Sequence, residues 1–360
     1  MNNFSKAFII AEAGVNHNGN LDIALQLVDV ASESGADAIK FQTFDTSELV
    51  TTSAPKALYQ TANLGNDLSQ FEMLKNLELS KNSHRVLKQY SEEMGLVFMS
   101  TAFDIPSLKF LVHDLGISCL KIPSGEVTNG PLLFEYGKTN RELIISTGMA
   151  SIEEIRWALG VIAHASMKPD ESPSNTEFLD SFYSEQGQEL LSNRVTLLHC
   201  TSEYPAPVEQ LNLLAIETLR KTFGLKVGYS DHSEGIFAAV AAAALGSVVI
   251  EKHFTLDKDL EGPDHRASLG PEELCQMVNE IRKIESGLGD GIKKPTTSEL
   301  VTQQAVRKSL YARIPIKAGE LFTEHNLTTK RPQSGISPME YWRILGTVSR
   351  ISYAKDEQIR

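Results

Sequence analysis

Eight short apolar runs recur between residues 7 and 253, and a stretch with apolar residues at helical spacing separates each run from the next. The runs are AFIIAEA (7–13), ADAIKFQT (36–43), GLVFMST (95–101), SCLKIPS (118–124), ELIISTG (142–148), VTLLHCT (195–201), LKVGYSD (225–231) and SVVIEKH (247–253). Near-continuous apolar strands that alternate with helices are typical of a parallel sheet covered by helices. The pattern predicts an α/β fold, a (β/α)8 TIM barrel. A doubly wound open sheet is the alternative, although no GxGxxG follows the first run.

The predicted barrel occupies residues 1–286, residues 287–303 form a linker, and residues 304–360 form a small second domain with short strands and turns. Two connections within the barrel are long. The connection 44–80 follows the second strand and is predicted to cover a substrate. The polar run 166–193 is predicted to be a surface insertion without a chemical role.

Composition limits the possible partners and the location of the protein. The net charge of −12 argues against non-specific binding to nucleic acid or to anionic membranes. The most apolar segment, 236–250, is too short to span a bilayer, and the amino-terminal residues do not resemble a signal peptide. The three cysteines have no paired spacing, so we expect reduced thiols. A cytoplasmic protein without membrane or nucleic-acid partners is predicted.

Most of the predicted strands end on polar side chains, and the carboxyl ends of the strands form the active site in this type of barrel. Neutral imidazole is a common ligand of transition metals. From their spacing, His199, His232 and His253 are all candidate metal ligands, but only His232 and His253 share a face with a polar residue two positions earlier.

Two lysines, Lys40 and Lys121, lie inside otherwise apolar strands. A buried ammonium group is costly unless it is paired. A structural salt bridge to Glu12 is one explanation. An anionic ligand is the preferred one, because several hydroxyl side chains end neighbouring strands and could donate to a phosphate and a carboxylate.

Several motifs together resemble the N-acetylneuraminate (sialic acid) synthase family, over almost the whole chain apart from the 166–193 insertion. They are IIAEAGVNHNG, AIKFQTF, STAFD, LKIPSGE, ISTGM, LLHCTSEYPAP, GYSDHSEG and EKHFTLDKDLEGPDHRASL. The tail, with IKAGE, NLTTKRP and GISPMEYW, resembles the SAF domain of that family, which is similar to type III antifreeze proteins.

The resemblance implies a transferase of carbohydrate biosynthesis. It would condense phosphoenolpyruvate with N-acetylmannosamine, or a related N-acetylated amino sugar, and water to give N-acetylneuraminate and phosphate. It also implies a divalent metal, Mn²⁺ with Mg²⁺ or Co²⁺ as alternatives, and a homodimer in which the carboxy-terminal domain reaches the partner's active site.

The site residues follow from the resemblance, motif by motif. The metal ligands would be His232 and His253. The phosphate and carboxylate of phosphoenolpyruvate would be held by Lys40, Thr101, Lys121, Ser124, Ser146 and Ser230. The sugar-side or catalytic positions would be Glu12, Gln42, Asn66, Tyr204 and Asp264, and Arg331 would reach the partner's site. Either Glu12 or Glu251 could move a proton, and His199 becomes a structural residue.

Two other interpretations remain at this stage. A synthase of N,N'-diacetyllegionaminate or of pseudaminate would use the same constellation with a differently substituted sugar. A non-catalytic sugar- or ice-binding module is an alternative from a different class, suggested by the antifreeze-like tail, but the full set of acids, lysines and histidines argues for catalysis.

Overall fold

The computed structural model describes residues 6–56, 60–61, 68–171 and 174–360. Eight parallel strands close into a barrel in which each strand pairs with the next, and the last pairs with the first. They are β1 Phe8–Gly14, β2 Ala38–Thr43, β3 Val97–Ala102, β4 Cys119–Ile122, β5 Glu142–Ser146, β6 Val195–Cys200, β7 Lys226–Asp231 and β8 Val249–His253. The predicted (β/α)8 barrel is confirmed.

Helices connect the strands and cover the outside of the barrel. They are Leu21–Glu33, Thr46–Leu49, Gln70–Leu77, Lys81–Glu93, Ile105–Lys109 with a π-helical turn Phe110–Asp114, Gly130–Lys138, Ile152–Met167, Asn175–Tyr183, Glu185–Arg194, Ala215–Phe223, Phe237–Ala244 and Pro271–Leu288. Local sequence sets where they begin: Ser151 accepts a hydrogen bond from Glu154 N at 3.3 Å, and the Glu154 carboxylate accepts from Ser151 N at 2.7 Å. Their apolar residues bury the outer face of the strands in the main core.

The polar run 166–193, predicted as a surface insertion, contains helical structure in its described part. Helix Asn175–Tyr183 packs against Ile152–Met167, and buried His164 makes a 3.0 Å Nδ1–Oγ contact with Ser181. The run is polar because the exposed faces of these helices are polar, while Phe182 is buried. Along the described parts of the chain, no helix has the length and apolar character needed to cross a bilayer.

The chain divides into two compact units, Met1–Asp290 and Gly291–Arg360. The second unit contains helix Thr297–Val306, whose amino-terminal part lies within the stretch predicted as a linker. It also contains an antiparallel pair, β9 Ser309–Ala312 and β10 Leu327–Lys330. Its own small core is formed by Leu310, Ala312, Ile316, Phe322, Leu327, Ile344, Tyr353 and Ile359.

Candidate active site

The interior of the barrel is layered. Apolar side chains fill the lower layer, namely Ile10, Ala38, Met99, Ile144, Leu198 and Val249. Because side chains two residues apart share a face of a strand, the next inward position lies one layer nearer the carboxyl ends. Those positions hold Glu12, Lys40, Thr101, Ser146, Cys200 and Glu251. An apolar floor therefore lies beneath a layer of polar side chains.

These side chains line a cavity of about 440 Å³ at the carboxyl ends of the strands. The cavity is within the usual size range for a small-molecule site. All but two of the predicted site residues line it: Glu12, Lys40, Gln42, Thr101, Lys121, Ser124, Ser146, Tyr204, Ser230, His232, Glu251, His253 and Asp264. Asn66 lies outside the described residues, and Arg331 is exposed on the second unit.

Lys40 is buried and lies among oxygen atoms. Its ammonium group contacts the carboxylate of Glu12, donates to Thr101 Oγ1 at 3.0 Å and lies 3.5 Å from Glu251 Oε2. The salt bridge to Glu12, which was the alternative explanation of this lysine, is therefore present. It does not exclude an anionic ligand, because Lys40 also lines the cavity.

Lys121 has a different set of partners. Its ammonium group donates to Ser146 Oγ at 2.7 Å and lies 3.5 Å from Glu251 Oε1. Ser230 Oγ donates to the same Glu251 oxygen at 2.7 Å. Burial lowers the pKa of Lys121, although the nearby Glu251 opposes this effect. Two ammonium groups and several hydroxyl groups thus converge on one space, as binding of a polyanion requires.

The two buried carboxyl groups differ in their protonation. Burial raises the pKa of Glu12 to about 7, a shift that Lys40 reduces and Glu251 increases. Burial also acts to raise the pKa of Glu251, but Lys121 and Lys40 outweigh it and bring that pKa down to about 2. Glu251 is therefore ionised at neutral pH, whereas Glu12 can gain or lose a proton there.

His232 and His253 face each other, with ring centroids 5.5 Å apart, and Tyr204 stacks on His232 at 4.1 Å. His232 Nδ1 lies 2.7 Å from Thr201 O. A carbonyl oxygen only accepts, so Nδ1 carries a proton, and in the neutral ring Nε2 is the nitrogen that can bind a metal. Burial lowers the pKa of His232, but the neighbouring Cys200 and the Thr201 carbonyl outweigh it and raise that pKa. The glycine at position 14, with φ of +54°, leaves room for the His253 ring, because a Cβ there would lie 3.3 Å from Cε1.

These two imidazoles fit a divalent transition metal. His253 Nδ1 is buried, and no described residue forms a hydrogen bond with it. Burial, together with the neighbouring His232, lowers the pKa of His253 well below its ordinary value, which favours the neutral form that binds metals. Within the described ranges, no third His, Cys, Asp or Glu completes a group of three potential ligands. Substrate and water oxygens would then fill the remaining positions.

His199, the third histidine selected by spacing, does not line the cavity. Its Nε2 donates to Leu211 O at 2.7 Å, and burial lowers its pKa. This hydrogen bond supports a structural role for His199. The spacing could not show this, because His199 occupies the outward face of β6.

Sequence reasoning missed several residues that line the cavity. Cys200 is buried, with its Sγ 3.6 Å from His232 Nδ1 and 3.7 Å from Ser124 Oγ. Cys200 follows the inward-facing Leu198 by two residues, so strand alternation could have predicted that its side chain faces the cavity. Apolar side chains from the connection after β2 also line the cavity, namely Phe44, Leu49, Val50, Met73, Leu74 and Leu77. No strand pattern marks these, because they come from loops and short helices.

Comparison with known proteins indicates the class of protein to which this chain is similar. Proteins similar to this chain include sugar-acid synthases. N,N'-diacetyllegionaminic acid synthase of Campylobacter jejuni is 46% identical over 99% of both chains. N,N'-diacetyllegionaminic acid synthase of Legionella pneumophila is 46% identical over 96% of this chain and 90% of that protein.

A solved structure of a sugar-acid synthase is also similar to this chain. The N-acetylneuraminic acid (sialic acid) synthetase of Leptospira borgpetersenii, in complex with citrate, is 32% identical, with a TM-score of 0.66 over 84% of this chain and 93% of that one. The NeuB family model matches residues 27–293, and the SAF domain model matches residues 307–360. The chain belongs to the NeuB family and carries a carboxy-terminal SAF domain.

Proposed function

We propose that this protein condenses phosphoenolpyruvate with an amino-sugar aldehyde that carries two acetamido groups, giving N,N'-diacetyllegionaminate and phosphate. The observation that carries the proposal is the 46% identity to N,N'-diacetyllegionaminic acid synthase over 99% of both chains. The sialic acid synthetase of known structure is 32% identical. The comparisons therefore favour the legionaminate alternative over N-acetylneuraminate as the product.

Phosphoenolpyruvate suits the cationic side of the cavity. The protein has a net charge of −12, so an anionic substrate needs local positive charge. Lys40 and Lys121 supply that charge from the barrel interior, and Thr101, Ser124 and Ser146 supply hydroxyl donors. Phosphate and carboxylate groups are best held by such charge-assisted hydrogen bonds.

The reaction joins carbon 3 of phosphoenolpyruvate to the aldehyde carbon of the open-chain sugar. Water then adds to carbon 2, and the carbon–oxygen bond to phosphate breaks to leave the keto acid. The added water loses both of its protons on the way to the keto group: one proton reaches the former aldehyde oxygen, and the other leaves with the phosphate. Glu12 is the residue that we assign to proton transfer, because its pKa of about 7 allows both protonation states near neutral pH. Glu251 stays ionised and holds the two lysines in place.

A divalent metal, Mn²⁺ or alternatively Mg²⁺ or Co²⁺, is part of the proposal, and His232 and His253 would hold it. Bound there, it would supply Lewis-acid polarisation of the sugar's carbonyl oxygen. The support is the lowered pKa of His253, whose Nδ1 has no hydrogen-bond partner among the described residues, and the hydrogen bond from His232 Nδ1 to Thr201 O, which directs Nε2 of the neutral ring to the metal.

Two further aspects of the proposal concern assembly and location. The active form is a homodimer in which Arg331 of one chain serves the site of its partner. Support comes from the SAF domain match over residues 307–360 and from the exposure of Arg331. The reaction takes place in the cytoplasm, which agrees with three free cysteines.

A substrate panel tests the proposed function. Purified protein is mixed with phosphoenolpyruvate, Mn²⁺ and, in turn, N-acetylmannosamine and the diacetamido sugars of the legionaminate and pseudaminate series. Phosphate release and product mass are measured. We expect the highest kcat/KM with the legionaminate precursor. A higher kcat/KM with N-acetylmannosamine would instead make this protein a sialic acid synthase, and no turnover with any sugar would favour a non-catalytic module.

A further inference from the structure

The cavity has two chemically different sides. The carboxyl ends of the strands contribute charged and hydroxyl side chains, among them Lys40 on β2 and Thr101 on β3. The connection between β2 and β3 contributes what we call the apolar wall, which consists of Phe44, Leu49, Val50, Met73, Leu74 and Leu77. Gln42 on β2 lies two residues before Phe44, so the wall begins beside a residue expected on the sugar side of the site.

The apolar wall has a defined local structure. Phe44, Met73 and Leu77 are buried in a small hydrophobic cluster separate from the main core, and the ring of Phe44 packs edge-on against Phe103 with centroids 6.1 Å apart. Helix Gln70–Leu77, which provides three residues of the wall, is fixed at its start by reciprocal hydrogen bonds between Ser69 and Glu72. The wall is therefore a built surface.

The charged residues that the structure describes in this connection do not line the cavity. Lys75 pairs with Glu78 at 2.8 Å, and the Glu72 carboxylate accepts from Ser69 N at 2.8 Å. Among the described residues of this connection, Gln60 and Gln70 are the polar ones that line the cavity. The described part of the connection therefore lines the cavity with methyl, methylene, aromatic and carboxamide groups and with no charged group.

We propose that the apolar wall, together with Gln42, Gln60 and Gln70, holds the second acetamido group of the sugar and so selects diacetamido over monoacetamido substrates. An acetamido group is a methyl joined to an amide, which matches an apolar surface edged by carboxamides. A hydroxyl in the same place would lose water without gaining a partner from the wall. The inference rests on the proposed function, because it assigns residues to the sugar named there.

Two variants test the wall, Leu49→Gln and Leu74→Gln. Both leucines are half-buried, so a polar side chain can be accommodated without unfolding the core. The measured quantity is the ratio of kcat/KM for the diacetamido sugar to that for N-acetylmannosamine. We expect each variant to lower this ratio roughly 10-fold or more, the scale of losing one apolar contact in a specificity pocket. The KM for phosphoenolpyruvate should change little.

The matched control is Leu245→Gln. Leu245 is 42% exposed and directly follows helix Phe237–Ala244, so it precedes β8 at the opposite end of the barrel. The Leu245→Gln variant should keep the wild-type ratio of the two kcat/KM values. Circular dichroism verifies folding, and if one leucine variant fails to fold, the other carries the test.

The outcomes separate the two hypotheses. If the wild type prefers the diacetamido sugar and the folded variants keep that preference, the wall does not select the substrate and the inference is overturned. If the wild type prefers N-acetylmannosamine, the proposed function fails, and the inference fails with it. A lowered ratio in the folded variants, with the control unchanged, supports both.

Discussion

Lys252 Nζ lies 2.9 Å from Asp231 Oδ2, and neither side chain is accessible to solvent. Both residues point away from the cavity, and each directly precedes one of the two histidines, His253 and His232. Lys252 also donates to Ser233 O, while Asp231 Oδ1 accepts from Ser233 N at 2.9 Å and Ser233 Oγ at 2.7 Å. This buried ion pair joins the ends of β7 and β8 behind the proposed metal ligands.

We predict that Lys252→Met destabilises the protein by about 3–5 kcal/mol, because it leaves Asp231 buried without a compensating charge. The double variant Lys252→Met with Asp231→Asn should recover a large part of that loss, since no unpaired charge remains. Chemical denaturation of all the variants measures the free energies of unfolding. Equal destabilisation by the single and double variants would show that packing, not charge, is responsible.

Replacing His232 or His253 by Ala should abolish metal-dependent turnover and binding of Mn²⁺. Two imidazole ligands are few for a divalent metal, so losing either one leaves the ion mainly with water. Electron paramagnetic resonance of Mn²⁺ titrated with protein measures binding without relying on activity. We expect the wild type to change the spectrum of Mn²⁺ and neither variant to do so.

His199→Ala is the control for that experiment. It removes the 2.7 Å hydrogen bond to Leu211 O outside the cavity, so it should lower stability by about 1 kcal/mol and leave Mn²⁺ binding intact. If His199→Ala loses the metal while His232→Ala retains it, the ligand assignment is wrong.

Lys121→Met should raise the KM for phosphoenolpyruvate about 10- to 150-fold and change the KM for the sugar little. A charge-assisted hydrogen bond contributes about 1.5–3 kcal/mol, which corresponds to that range. Steady-state kinetics with each substrate varied in turn provides the measurement. Similar increases for both substrates would contradict a role specific to the anionic substrate.

Glu12→Gln should change the pH dependence of stability. The pKa of Glu12 is raised from 4.5 to about 7, so the folded state binds more protons than the unfolded state between those values. The associated stability is present at low pH and is lost as the pH rises through about 7. From about pH 5 to about pH 8, the wild type should lose on the order of 2 kcal/mol relative to Glu12→Gln.

Urea denaturation of ligand-free protein at several pH values measures this difference. Glu251 does not interfere, because its pKa of about 2 places its titration in the folded state below this range. Asp264, whose pKa burial raises to about 6, is present in both proteins and cancels in the comparison. Parallel pH profiles for the two proteins would show that Glu12 does not titrate near neutral pH.

The barrel and the polar layer at its mouth could be predicted from the sequence because both follow from strand periodicity. Apolar runs bounded by helical stretches identify the strands, and alternation places Lys40 and Glu251 on the same inward face as the floor residues beneath them. The resemblance to a known family then separated His232 and His253 from His199, which spacing alone left open.

Contacts between distant segments could not be predicted in the same way. The pairing of Lys40 with Glu12, the ion pair of Lys252 with Asp231 and the apolar wall all depend on how strands and loops meet in three dimensions. The helical structure within 166–193 was missed because an exposed helical face has the composition of a polar loop.

Arg331→Ala should leave a folded dimer with weakened use of the sugar and near-normal binding of phosphoenolpyruvate. Arg331 lies on the second unit, which has its own core, so replacing this exposed side chain should not disturb folding. Size-exclusion chromatography and kinetics with each substrate measure the two effects. A loss of phosphoenolpyruvate binding as large as the loss of sugar use would contradict the assignment.

Mixing two variants that are impaired in different ways gives a sharper test of a shared site. In a mixed dimer of Arg331→Ala and His232→Ala chains, one of the two sites receives both an intact histidine pair and an intact arginine. Random subunit exchange makes half of the dimers mixed, so about a quarter of all sites should recover activity. Native mass spectrometry verifies that exchange has occurred. Exchange without recovered activity would mean that Arg331 serves the barrel of its own chain, or neither barrel.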